Sequence, residues 1–145
     1  MSATADHAEE RTLAVRLGFQ PGQVVQEIGY DEDTDQDLRE AIEEHTGTEL
    51  VDEEYDDVAD AVLLWFRDED GDLTDALVDA IGFLEEDGMI CLLTPKTGRD
   101  GYIEASDITE AVQTAGLSQT KPVSVGKDWN GSRLVTPKGA KAGRR

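Results

Sequence analysis

Hydrophobic and polar residues change rhythm several times along the chain. Leu13 and Leu17, with Ala8, recur at helical spacing over 5–17, and Gly18 ends that pattern before Phe19, Pro21 and Gly22 turn the chain. Val24, Val25 and Ile28 predict a strand over 24–28, and Leu38, Ala41 and Ile42 make an apolar stripe that predicts a helix over 35–45, closed by Gly47. A short strand is expected at 48–51. The run Ala61-Val62-Leu63-Leu64-Trp65-Phe66 lacks polar alternation, so 61–66 reads as a central strand covered on both faces. Asp72 is placed to cap a helix carrying Leu73, Ala76, Leu77, Ala80, Ile81 and Leu84 inward, which Gly88 breaks before a buried strand at 89–93. Asp107 and Glu110 have capping-box spacing for a helix with Ile108, Ala111, Val112 and Ala115 inward and Gly116 as its stop. Finally, 122–128 and 132–136 flank Asn130-Gly131, a two-residue hairpin signal.

Strands alternating with helices and ending in a hairpin predict a compact Rossmann-like three-layer α/β domain, its sheet mainly parallel with the C-terminal antiparallel hairpin as an edge. A length of 145 residues suits one such domain: an N-terminal helix over 1–17 packed on it, the α/β domain over 18–137, and a flexible basic tail over 138–145. The longest apolar run, 61–66, is far short of the roughly 20 residues of a membrane span, and residues 1–10 are polar. The expectation is a cytoplasmic protein without a membrane partner.

Charge sharpens that picture. The chain has 33 acids against 13 basic residues, a net of −20. Between positions 27 and 87 there are 25 acids and only Arg39 and Arg67 as cations, a local balance of −23. Such a surface repels nucleic acid, so only the tail, with four cations and no acid over 138–145, is expected to touch a phosphate backbone, and weakly. The partner it suits is a basic protein.

Catalytic chemistry is hard to nominate. Cys91 lies inside an apolar stretch and reads as a buried thiol, while His7 falls in the first helix and His45 at the end of another, where it is placed to meet that helix's last carbonyls. Two histidines and one cysteine supply neither a nucleophile triad nor a metal set. The acids alternating from Asp31 to Asp37 imitate a calcium loop, but Gln36 stands where that loop needs glycine and Ile42 where it needs a bidentate glutamate. More suggestive are Lys96 and Arg99, on the loop leaving the carboxyl end of a central strand, where open α/β sheets bind ligands. If the hairpin folds over that edge, Lys127 and Trp129 join them around an anionic or aromatic ligand or a partner.

Two resemblances follow from particular strings. The layout, with Leu17-Gly18-Phe19 and Pro21-Gly22 leading into Glu27-Ile28-Gly29, resembles a shortened, degenerate class I S-adenosylmethionine methyltransferase domain. The Leu63-Leu64-Trp65 strand, the Thr94-Pro95-Lys96 loop and Trp129-Asn130-Gly131 resemble an uncharacterised actinobacterial family grouped as a domain of unknown function. The first resemblance implies that Glu27, Gly29 and Asp52, which stands 23 residues past Gly29, surround S-adenosylmethionine. Tyr30 and Asp31 depart from it by placing side chains where the cofactor turn needs glycine. The expectation is therefore a non-enzymatic binding or regulatory protein without a cofactor; the alternative is a small methyltransferase with an altered loop.

Overall fold

A computed structural model describes residues 13–136. Its strands are β1 (Val25–Ile28), β2 (Ala59–Trp65), β3 (Leu84–Pro95), β4 (Ser118–Gln119), β5 (Val123–Val125) and β6 (Trp129–Val135), and its helices are α1 (Gln36–Thr46), α2 (Leu73–Ile81) and α3 (Ala105–Thr114). β1, β2 and β3 run parallel in that order; β6 joins β3 antiparallel, and β4 and β5 pair with the outer side of β6. Residues 13–16 are helical, and Ala14 and Leu17 are buried. The domain is the expected Rossmann-like α/β architecture.

The apolar run of β2 serves two cores at once. Ala61, Leu63 and Trp65 join Leu38, Ile42, Phe19 and Leu17 on one face, while Val62, Leu64 and Phe66 join Leu77, Val112 and Leu134 on the other. Successive side chains point to opposite faces, so a strand between two helix layers has no polar position to spare. Among the described residues no helix is long and apolar enough to cross a membrane.

Four expectations are corrected. Residues 48–51 do not form a strand: Val51 alone makes a parallel bridge to Gln26, because the Thr48 hydroxyl donates to the Gln23 carbonyl (2.6 Å) and the Leu50 N–H donates to Glu43 (2.9 Å). Side chains have taken the backbone partners that a ladder would need. The Asn130-Gly131 pair is not a turn but lies inside β6, opposite Ser124 and Val123, with the turn at 126–128. Gly131 is there for closeness, since a Cβ would come within 3.2–3.3 Å of Leu17, Leu93 and Val125. α2 ends at Ile81, and Gly88 lies within β3 beside a register shift. α3 starts after Glu104, which makes no side-chain cap bond, so Asp107 sits in its first turn rather than at its cap. The 1–12 segment and the basic tail from 138 lie outside the described residues.

Candidate functional site

The carboxyl ends of β1 and β2 hold a cluster of charged and aromatic side chains. Glu27, the third residue of β1, is buried, and its carboxylate accepts from Arg39 twice, Nε to Oε2 (2.7 Å) and Nη2 to Oε1 (2.8 Å). The Trp65 indole N–H adds a third bond to Oε2 (2.9 Å). Arg39 reaches Glu27 because α1 begins at Asp35, whose carboxylate caps the Leu38 N–H (2.9 Å) and sets the helix beside β1. Its guanidinium also lies over the Tyr30 ring, 4.5 Å from the centroid. The hydrogen bonds from Arg39 to Glu27 raise its pKa above the ordinary arginine value.

Gly29 ends β1 in a left-handed conformation with φ of 85°. A Cβ there would collide with the Trp65 carbonyl oxygen, so the glycine makes room for the end of β2. Its N–H donates to Glu53 (2.9 Å), and its carbonyl accepts from Arg67 Nη1 (2.9 Å). Asp52 caps its own turn by accepting the Glu54 N–H (3.0 Å).

Arg67 is the second anchor. It is buried just past β2 and donates to Asp33 (Nε, 3.0 Å), to Asp70 (3.2 Å) and to the Trp65 carbonyl (3.4 Å), with its guanidinium 5.3 Å from the Trp129 ring centroid. Burial works to lower the Arg67 pKa, but the hydrogen bonds to Asp33 and Asp70 outweigh it and the net shift is upward. In return, the bond from Arg67 lowers the pKa of Asp33 below its ordinary value. The Trp129 indole N–H donates to the Asp33 carbonyl (3.0 Å), and Trp129 meets Trp65 edge to face at 4.9 Å. Segment 29–34 is thereby pinned over the end of the sheet from both sides.

Of the three positions implied for a cofactor, Glu27 and Asp52 face a common cleft of about 340 Å³, which Tyr30, Arg39, Glu53 and Glu54 also line. Gly29 is not among its walls. The other expected set does not converge. Lys96 donates to the Ser124 hydroxyl (2.6 Å) and the Gly126 carbonyl (2.9 Å), Arg99 pairs with Asp128 (2.9 Å), and Lys127 is exposed. Lys96 and Arg99 fasten the β5–β6 turn to the loop after β3. Trp129 is 3% exposed and has no open face for stacking, because the sheet's inner core has taken its ring.

Arg39, Arg67, Asp33 and Trp65 are the site residues that motif reading missed. One signal pointed to the first two: they are the only cations among 25 acids between 27 and 87, and a solitary arginine in such a stretch is expected to be a structural counter-ion. His45 bonds the Phe19 carbonyl (3.0 Å) rather than the end of its own helix. Cys91 is fully buried, and burial pushes its thiol pKa well up, away from nucleophilic use. Among the described residues no group of three or more His, Cys, Asp or Glu is arranged to hold a metal ion.

Comparison with known proteins gives two kinds of match. A family model described as "Protein of unknown function (DUF3052)" matches residues 14–138. An uncharacterized protein of Mycobacterium tuberculosis is 55% identical over 141 residues, covering 97% of this chain and 87% of the relative. Among solved structures, a SAM-dependent methyltransferase from Aquifex aeolicus aligns with a TM-score of 0.54 at 14% identity, covering 88% of this chain and 89% of that one. A methyltransferase from Pyrococcus furiosus aligns with a TM-score of 0.53 at 15% identity, covering 86% and 80%. At such identities the likeness speaks for the fold alone.

Proposed function

The chain belongs to the family described as "Protein of unknown function (DUF3052)", a membership that brings no activity with it, and we propose that it is a non-enzymatic binding or regulatory protein built on a methyltransferase-like scaffold, docking a basic partner on its acidic face. One observation carries this reading: the polar groups that would grip a cofactor are used internally. Both Glu27 oxygens are taken by Arg39 and Trp65, and the open side of Gly29 is taken by the Trp65 carbonyl. What remains outward is negative charge. Asp52, Glu53 and Glu54 line the cleft, and exposed acids at 31, 32, 37 and 40 and at 56 and 57 follow its wall residues closely in sequence, a set suited to a lysine- and arginine-rich segment. The same reading has it act in the cytoplasm, with Cys91 as a reduced, buried thiol.

A second reading is favoured by the cleft itself. About 340 Å³ beside Glu27 and Asp52 is within the range of small-molecule sites, and S-adenosylmethionine carries a cationic sulfonium that acidic walls attract. In that case Glu27, Gly29 and Asp52 would surround the cofactor and Arg39 would have to release Glu27. Calorimetry separates the two. The docking reading expects no saturable binding of S-adenosylmethionine and salt-sensitive binding of a basic peptide; saturable cofactor binding abolished by Asp52→Ala would replace it with the methyltransferase.

A further inference from the structure

On the opposite side of the sheet from the acidic cleft, α3, β4 and the carboxyl end of β3 line an open cavity of about 460 Å³. The row of side chains facing it changes character along the β3–β6 ladder. Ile90 pairs with Leu134 in the buried core, then Leu92 with Ser132, then Thr94 with Asn130. A face that only had to pack against a helix would stay apolar, whereas polar side chains are kept where they meet solvent or a ligand. Thr94 lines the cavity, and its hydroxyl, bonded to no residue among those described, opens onto that space and is not sealed in the core. Ser132 is 6% exposed; its Oγ accepts from the Gln119 amide (3.2 Å), leaving its own proton free to donate. The Asn130 amide faces the same space with no protein partner among the described residues.

Charge narrows the ligand. Acids make up 33 of 145 residues, yet among the described residues none lines this cavity, and Lys121 is the single charged wall residue among them. Leu92, Ile103 and Ile108 supply an apolar floor. One lysine without an arginine fork suits a monoanion, whereas a doubly charged phosphate ester would meet the repulsion of a chain at −20 with less to offset it. We propose that this cavity binds a small organic monocarboxylate bearing a hydroxyl or keto group, its carbon body on Leu92, Ile103 and Ile108, its carboxylate toward Lys121 and its oxygen substituent against Thr94, Asn130 and Ser132. The site goes beyond the docking role and is independent of it.

The test uses the full chain and four probes: 4-hydroxyphenylacetate, phenylacetate, 4-hydroxyphenylacetamide and phenyl phosphate. Titration followed by amide NMR should show saturable shifts centred on 94, 130 and 132, with 4-hydroxyphenylacetate binding tightest. Lys121→Met, at an exposed position, should remove the preference for acid over amide, a loss of about tenfold in affinity for the acid. Thr94→Val, of equal volume, should remove the preference for the hydroxylated over the plain acid. Overturning results are the absence of saturable binding by any carboxylate, shifts centred elsewhere, phosphate binding at least as tightly as carboxylate, or an acid preference that survives Lys121→Met. The wild-type shift map decides the matter should Thr94→Val fail to fold, and basic-peptide binding at the acidic cleft is expected to be unchanged by either substitution.

Discussion

Two glycines with the same backbone angle isolate what the turn after β1 is for. Gly22 and Gly29 both have φ of 85°, but a Cβ at Gly22 meets nothing within 4 Å while one at Gly29 runs into the Trp65 carbonyl. Gly22→Ala should therefore cost only the left-handed strain, about 1 kcal/mol, whereas Gly29→Ala should cost at least about 3 kcal/mol in urea denaturation, since β2 must move away. Equal losses would mean that Gly29 is kept for its angle and not for closeness. Asp33 gives a pH signature at the same spot. Its bond from Arg67 lowers its pKa below the ordinary 3.8, so the stability it contributes is complete above that value and is lost as pH falls through the lower folded value. The Asp33 side chain is 56% exposed, and solvent screening keeps the contribution under about 1 kcal/mol. Asp33→Asn should be less stable than the parent near pH 6, and the gap should close below pH 3.8, read from the fluorescence of Trp65 and Trp129. A gap that stays constant down to acid pH would remove the ion pair from the account.

Helix starts show which elements were legible and why. Asp35 and Asp72 are short acids immediately before apolar stripes, and each accepts the N–H three residues on; the sequence pattern names Asp72 as a cap but places Asp35 inside its helix. Asp35→Ala should cost about 1 kcal/mol, while Glu104→Ala at the uncapped start of α3 should be neutral within about 0.5 kcal/mol, both by thermal melts. A like cost at both would deny Asp35 its capping role. The central strands were legible for a similar reason, since a run such as 61–66 can be satisfied only between two apolar layers. Where tertiary contact overrides a local signal, the pattern misled. Asn130-Gly131 reads as a turn only until Leu17, Leu93 and Val125 need the space over Gly131 and Trp129 needs the core. The site was half legible: Glu27 and Asp52, two of the positions the resemblance singled out, line one cleft, while Gly29 is not among its walls. That Arg39, Trp65 and Arg67 occupy their polar groups was not, because those partners are 12, 38 and 38 residues away in sequence.

For the molecule as a whole, salt acts on folding and on docking with opposite signs. A chain at −20, with 25 acids between 27 and 87, repels itself in the folded state, and raising ionic strength from about 0.01 M to about 1 M shortens the screening length from about 30 Å to about 3 Å. The melting temperature should rise over that range by about 3 °C or more. A basic peptide held by the acids around β1 should lose at least about tenfold in affinity over the same range. Asp31→Asn, Glu32→Gln and Asp37→Asn combined should imitate salt, raising the melting temperature at low ionic strength while weakening the peptide. Asp33 and Asp35 are left intact in that variant because one holds Arg67 and the other caps α1. Stabilisation with undiminished peptide binding would mean that the acids near β1 serve solubility alone and that any partner docks elsewhere. Loss of both stability and binding would mean that the three acids hold the fold together, which their exposure argues against. Only the opposed pair of changes fits a surface whose repulsion is tolerated for the sake of a cationic partner.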